Sequence, residues 1–195
     1  MLRKLFGAKF NLVENFTYVL RDKNGNVKPM FALNKLGQFL MKKGMISPNT
    51  SKALLSAFML GGMRNEMHIA NLITNTGMAG VASRINGSGA EAAFTYVAIG
   101  IGAVASAVTD TALGSEIVTG GGERAVATAS RTTTDVTDDT ATLVLTYNFT
   151  ATFAVTEAGA LNAGAAGVLL NRQVFSAVNV ANGDSLQVTI DIDVD

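Results

Sequence analysis

The sequence predicts a mainly β protein, an antiparallel β-sandwich or jelly roll over about residues 90–195, preceded by an N-terminal α+β extended arm. Three observations carry that prediction. In residues 185–195, Leu186, Val188, Ile190, Ile192 and Val194 alternate with Gln187, Thr189, Asp191, Asp193 and Asp195. Successive strand side chains point to opposite faces, so this alternation sets five apolar residues toward a core and five polar ones toward water. Residues 142–155 are too β-branched and aromatic for a helix and longer than an average strand, so they read as one long or bent strand. Turn signals such as Asn182-Gly183-Asp184 then divide the chain after residue 92 into seven or eight strands, the spacing of a sandwich.

Taken in order, residues 10–31 read as a hairpin, with Asn24-Gly25 supplying the positive φ values of a tight turn and Pro29 marking an edge or bulged second strand. Asp22, Asn24 and Asn26 have calcium-loop spacing, but Val27 stands where the loop glycine is needed and Leu33 where the closing glutamate is, so a turn is expected. Asn34 is placed to cap a helix over residues 35–43, with Leu36, Phe39 and Leu40 on one face and Gly44 as the stop. Residues 52–60 fit a short helix or an extended apolar arm equally well. Residues 75–85 have the small side chains of a tightly packed short helix, and His68 falls on the face opposite Met67 and Ile69. Charge sign, glycine content and hydrophobic period change between Leu60 and Gly89, which divides the chain into an arm at 1–88 and a sandwich at 89–195.

The uncharged run 92–108 approaches the ~18–20 residues that cross a bilayer, but its glycines and alanines favour a buried strand at 94–101 followed by a loop. Residues 123–134 suit a strand of modest burial, and Glu157-Ala158-Gly159 opens a glycine and alanine loop running through Gly167.

At 195 residues and 48% hydrophobic, the chain can build a real core, and without cysteine it has no disulfide or thiolate metal site. A single histidine leaves little room for histidine metal sites or a serine–histidine pair, and no nucleophile elbow or phosphate loop is present. We therefore expect a protein that is not an enzyme and takes no cofactor or small-molecule substrate. Asp191, Asp193 and Asp195 lie nearly 7 Å apart along an ideal strand, too far for compact metal coordination, and read as a solvated, edge-protecting face.

The net charge of zero hides an asymmetry, with 11 − 3 = +8 over residues 1–70 and 4 − 12 = −8 over residues 71–195. Such a split suggests a basic arm that meets an acidic surface. Lysines interleaved with apolar residues do not make a nucleic-acid stripe, and neither a signal peptide nor membrane attachment is expected. The arm is richer in aromatic and apolar residues than two short elements can bury. Its partner-binding candidates are Phe6, Phe10, Phe16, Tyr18, Phe31, Phe39, Lys42, Lys43 and Phe58. A sugar-binding sandwich would need exposed aromatics, yet the chain has no Trp and only Tyr18, Tyr96 and Tyr147.

Three groups of phrases carry a resemblance. They are Asp22-Lys-Asn-Gly-Asn-Val-Lys-Pro-Met-Phe31; Phe94-Thr-Tyr-Val-Ala-Ile-Gly-Ile-Gly102 with Thr111-Ala-Leu-Gly-Ser-Glu-Ile117; and Val155-Thr-Glu-Ala-Gly159 with Leu170-Asn-Arg-Gln-Val-Phe175 and Asn182-Gly-Asp-Ser-Leu186. Together the chain resembles the small virion structural proteins of tailed bacteriophages, the head-decoration and tail-fibre β-sandwich domains. The resemblance implies a capsid decoration or cement protein in the virion, assembled in the host cytoplasm. Its expected partners are copies of itself, with a trimer as the expected order, and other virion proteins. A tail, fibre or neck component is the alternative within the class. A small membrane-active protein and a carbohydrate-binding module are the alternatives outside it.

Overall fold

The structure, a computed structural model of the chain, describes residues 12–70 and 72–194. Its elements in chain order are β1 (Leu12–Arg21), β2 (Met30–Leu33), α1 (Lys35–Lys42), α2 (Lys52–Ala57), β3 (Gly61–Arg64), β4 (Met67–Ala70), β5 (Leu72–Ile73), α3 (Asn75–Asn86), β6 (Tyr96–Gly100), β7 (Ala125–Val126), β8 (Thr128–Thr132), β9 (Thr140–Asn148), β10 (Phe153–Leu161), β11 (Leu169–Val180) and β12 (Ser185–Val194). One five-stranded sheet has the order β4-β1-β12-β9-β8, a second the order β5-β11-β10-β6-β7, and β2 and β3 form a separate pair. Every pairing between these strands is antiparallel. The pairs β1·β12, β5·β11, β6·β10 and β8·β9 nest inside one another along the chain, as in one long hairpin folded over on itself.

The sandwich core lies between the two sheets. Phe16, Tyr18 and Leu20 of β1 and Leu186, Val188 and Ile190 of β12 face Val97, Ile99, Val155, Leu170, Phe175 and Val178 of the second sheet. Tyr18 and Phe175 meet across the gap with ring centroids 4.5 Å apart. The alternation of the last strand is realised from Leu186 to Ile192, but it inverts at its end, where Asp193 is buried and Val194 is 44% exposed.

The arm is not separate from the sandwich, so the boundary at 88/89 does not divide two cores. β1 pairs along ten residues with β12, from Leu12↔Val194 to Arg21↔Ser185, and β4 extends the same sheet. The cause is its alternation of Phe16, Tyr18 and Leu20, which completes the core facing β11. The tight turn at 22–26 exists, closed by the Asp22 carboxylate accepting from the Asn24 and Asn26 N–H groups at 2.8 and 3.0 Å. It does not close a long hairpin, since only Arg21 and Val27 bridge across it and β2 pairs with β3.

Residues 142–155 are not one strand. β9 and β10 belong to different sheets, and the chain turns the corner at Phe149, whose N–H donates to the Asp184 carbonyl at 2.9 Å while Thr150 N–H donates to Gly120. Residues 92–108 form the buried strand β6 and then a loop, and among the described residues no helix is long and apolar enough to cross a membrane.

The three helices follow their local signals. Asn34 Oδ1 accepts from Gly37 N–H at 2.9 Å and starts α1, and Thr74 Oγ1 does the same for Gly77 and α3, which ends at Gly87 in the left-handed region. Residues 52–60 resolve to the short helix α2 and a turn. α3 lies on β11 backbone to backbone: a Cβ at Gly77 would stand 2.1 Å from the Leu170 carbonyl oxygen.

Candidate interaction surface

The sequence places apolar residues on two faces of the short α1, and only one face has something to cover it. Gly37 and Met41 turn inward, and with Phe31, Leu33, Leu55, Leu60 and Val174 they form a second small core roofed by α1 and α2. Asn34 binds the two helices into one cap, donating from its backbone to the Leu60 carbonyl at 2.8 Å and from its side chain to the Met59 carbonyl at 2.7 Å. Over this cap Leu36, Phe39, Leu54, Phe58, Met59 and Met63 stand 50–82% exposed. Isolated exposed apolar residues are ordinary on a protein surface, but six large ones within 28 residues of chain on two tied helices and the adjoining β3 make a patch.

The charged residues within this segment are all cationic. Lys35, Lys42, Lys43, Lys52 and Arg64 fall in this segment, and no Asp or Glu occurs between Asp22 and Glu66. Lys43 Nζ lies 5.9 Å from the centroid of the Phe39 ring, a weak cation–π contact that holds its charge beside the apolar surface. On the β4 side an open groove of about 510 Å³ is lined by Ala32, Leu33, Arg64, Asn65, Glu66 and His68. His68 lies opposite Met67 and Ile69 as expected, bonded to Thr17 Oγ1 at 3.0 Å and 3.4 Å from Glu66.

Four of the nine partner-binding candidates meet on this cap: Phe39, Phe58, Lys42 and Lys43. Phe16, Tyr18 and Phe31 do not. They are 0–2% exposed, because β1 and β2 supply the cores of their own chain and leave these rings no surface to offer a partner. Phe6 and Phe10 lie outside the described residues.

A buried polar cluster around Glu157 was not foreseen. Glu157 lies inside β10, fully buried, where the sequence suggested the start of a loop. Its Oε1 accepts from the N–H groups of Gly102 (3.0 Å) and Ser115 (2.7 Å), and its Oε2 from Gly114 N–H (2.9 Å) and Arg172 Nε (2.8 Å). Arg172 continues to Asp110 Oδ2 at 2.7 Å and to the Val104 carbonyl at 3.0 Å. Burial alone would lower the Arg172 pKa, and the hydrogen bonds and charges of Asp110 and Glu157 outweigh it and raise the pKa above its ordinary value. A Cβ at Gly102 would stand 2.4 Å from Glu157 Oε1, so Gly102 makes room for a carboxylate rather than a phosphate. Arg124 clamps the end of the same connection, fork to fork with Glu116 at 2.9 and 2.6 Å and donating to the Ala163 and Ala166 carbonyls. Both oxygens of Glu157 already have two donors, so the cluster fastens the long β6–β7 connection onto the second sheet.

The acidic residues of β12 do not guard an edge, since β12 lies between β1 and β9 and Asp191 accepts from Thr142 Oγ1 at 2.7 Å. Among the described residues no group of three or more His, Cys, Asp or Glu is arranged to hold a metal ion. Tyr18 and Tyr147 are core residues, and only Tyr96 keeps partial exposure, so the tyrosines form no sugar-stacking platform. No family model, curated protein or solved structure matches this chain.

Proposed function

We propose that this protein is a structural subunit whose work is to hold other protein surfaces through the α1–α2 cap, and that it serves as a decoration or cement protein of a tailed-phage particle. One observation carries the binding half of this reading: Leu36, Phe39, Phe58 and Met59 are kept 53–82% exposed by a cap whose underside is a packed core. Large apolar side chains on a pre-ordered surface bind without the entropy cost of ordering a loop. The Glu157–Arg172–Asp110 cluster, saturated and shielded, supports a scaffold role for the rest of the chain. The virion half rests on the phrases at 22–31, 94–117 and 155–186 that resemble phage structural proteins.

The test combines the cap with the particle. Full-length chain added to purified tailed-phage particles lacking their decoration protein should co-sediment with them, and the Phe39→Ser/Phe58→Ser variant should stay in the supernatant with unchanged circular dichroism. Wild-type chain that stays in the supernatant counts against the virion reading. Equal retention of wild type and variant overturns the role of the cap.

A further inference from the structure

The charged residues in the segment that builds the cap, 23–64, are all positive, while the chain as a whole is neutral, so most of the compensating charge lies elsewhere on the same molecule. Much of that negative charge is already used internally. Asp110 and Glu157 are held by Arg172, Glu116 by Arg124, and Asp184 by Lys28 at 2.5 Å. Three of the remaining acids, Asp135, Asp138 and Asp139, gather in the turn between β8 and β9, together with one cation, Arg131, 3.6 Å from Asp138. At the tip of that turn Val136 is 68% exposed. The turn is held in shape from within, because Asp139 accepts from the N–H groups of Thr134, Asp135 and Val136 at 2.8, 2.8 and 2.5 Å. An apolar tip with an acidic surround is the complement of an apolar patch with a basic rim.

The two surfaces cannot meet on one copy. α1 packs on β2 and β11 and reaches β4 through Gln38 Nε2, 3.4 Å from the His68 carbonyl, and β4 is one edge strand of the first sheet. β8 is the other edge, four strand spacings or about 19 Å away. The basic segment at residues 1–11, with Arg3, Lys4 and Lys9 and no acid, has the wrong sign to cover the cap. We infer that the occupant of the α1–α2 cap is a second copy of this chain, joined head to tail through its β8–β9 turn. This inference rests on the cap being a binding surface, and it adds the partner. Such a contact uses different patches on the two subunits, so it builds rings if the rotation closes and filaments if it does not.

The experiment uses the full chain and two exposed-surface variants. The cap variant is Leu36→Ser/Phe39→Ser/Phe58→Ser, and the tip variant is Asp135→Asn/Val136→Ser/Asp138→Asn, which leaves Asp139 in place to hold the turn. Circular dichroism and urea unfolding first establish that both fold. In sedimentation velocity the wild type should form oligomers larger than dimers, and each variant alone should weaken self-association by roughly tenfold or more. An equimolar mixture of the two variants should then give a one-to-one pair and nothing larger, since only one cap and one tip remain competent.

A tip variant that assembles like the wild type overturns the head-to-tail contact while leaving the cap as a binding surface. A cap variant that assembles like the wild type overturns the second-copy proposal, while the cap as a binding surface falls only if that variant is also retained on particles like the wild type. A wild-type chain that stays monomeric up to its solubility limit overturns the second-copy proposal. In that case, flotation of the wild type but not the cap variant with vesicles of mixed phosphatidylserine and phosphatidylcholine would assign the cap to an anionic membrane instead.

Discussion

Glu157 shows how much of this molecule rests on single residues that sequence patterns conceal. A lone acid followed by Ala158-Gly159 reads as a turn, and its donors at Gly102, Gly114 and Ser115 come from a connection more than 40 residues away. The nearest legible sign is Arg172, which lies on the partner strand two residues before Val174, the residue paired with Glu157. With glutamine at 157 Arg172 keeps Asp110, but the donors that met one carboxylate oxygen then face an amide N–H, at a cost of roughly 1–3 kcal/mol. Glu157→Gln should therefore lower the urea unfolding midpoint by that equivalent with the slope unchanged. Tyr18 presents the opposite case. Its ring packs against Phe16 and Phe175, but its buried hydroxyl has no hydrogen-bond partner among the described residues, and burial pushes its pKa well above the ordinary value. Leaving a buried hydroxyl unsatisfied costs about 1–3 kcal/mol, so Tyr18→Phe should raise stability by about 1 kcal/mol in the same assay. A lower midpoint for Tyr18→Phe would mean that the hydroxyl is satisfied in solution.

Among the elements, those set by local chemistry were the most legible. Asn34 announced α1, the small residues from Asn75 announced α3, and the alternation at the chain's end announced β12. What local pattern could not supply was the partner of each strand: β9 and β10 read as continuous because nothing in Tyr147-Asn-Phe-Thr150 reports that its backbone bonds go to turns at Asp184 and Gly120. The β8–β9 turn makes an element-scale prediction. Hydrogen bonds from the Thr134, Val136 and Asp135 backbones hold the Asp139 carboxyl well below its ordinary pKa. A folded-state pKa below the unfolded value gives a stabilisation that is full above the unfolded pKa of about 3.9 and fades as pH falls through the folded one. The amide signals of Thr134, Asp135 and Val136 should therefore shift together on acidification below about pH 4 in an NMR titration, and Asp139→Asn should abolish their common transition. Independent movement of the three amides would show that the carboxylate does not organise the turn.

At the scale of the whole molecule, the sequence displayed two kinds of surface chemistry and invited a division into arm and sandwich, whereas strand pairing made them one body. β1 was readable as a strand from Phe16, Tyr18 and Leu20, but its partner lay at the far end of the chain, beyond any local pattern. Deleting residues 1–60 would remove Phe16, Tyr18, Leu20, Met30 and Phe31 from the cores. At ~1.5–3 kcal/mol for each buried side chain, the loss is comparable to the 5–15 kcal/mol by which a typical domain is stable. The truncated chain should show no cooperative thermal transition in circular dichroism. A cooperative β-sheet melt from that fragment would restore the separate-arm reading.

The pairing of β1 with β12 also sets a timetable for biosynthesis. Ser185 follows Arg21 by 185 − 21 = 164 residues, so the partner of the first described strand leaves the ribosome long after that strand does. At about 5–20 residues per second, the rings of Phe16 and Tyr18 wait on the order of ten to thirty seconds without the strand that covers their backbone. During that interval β1 has only the short β4 beside it, and its other edge stays open to the same strand on neighbouring nascent chains. Expression yield should therefore respond to translation speed and to chaperones that shield extended segments more than to the stability of the finished sandwich.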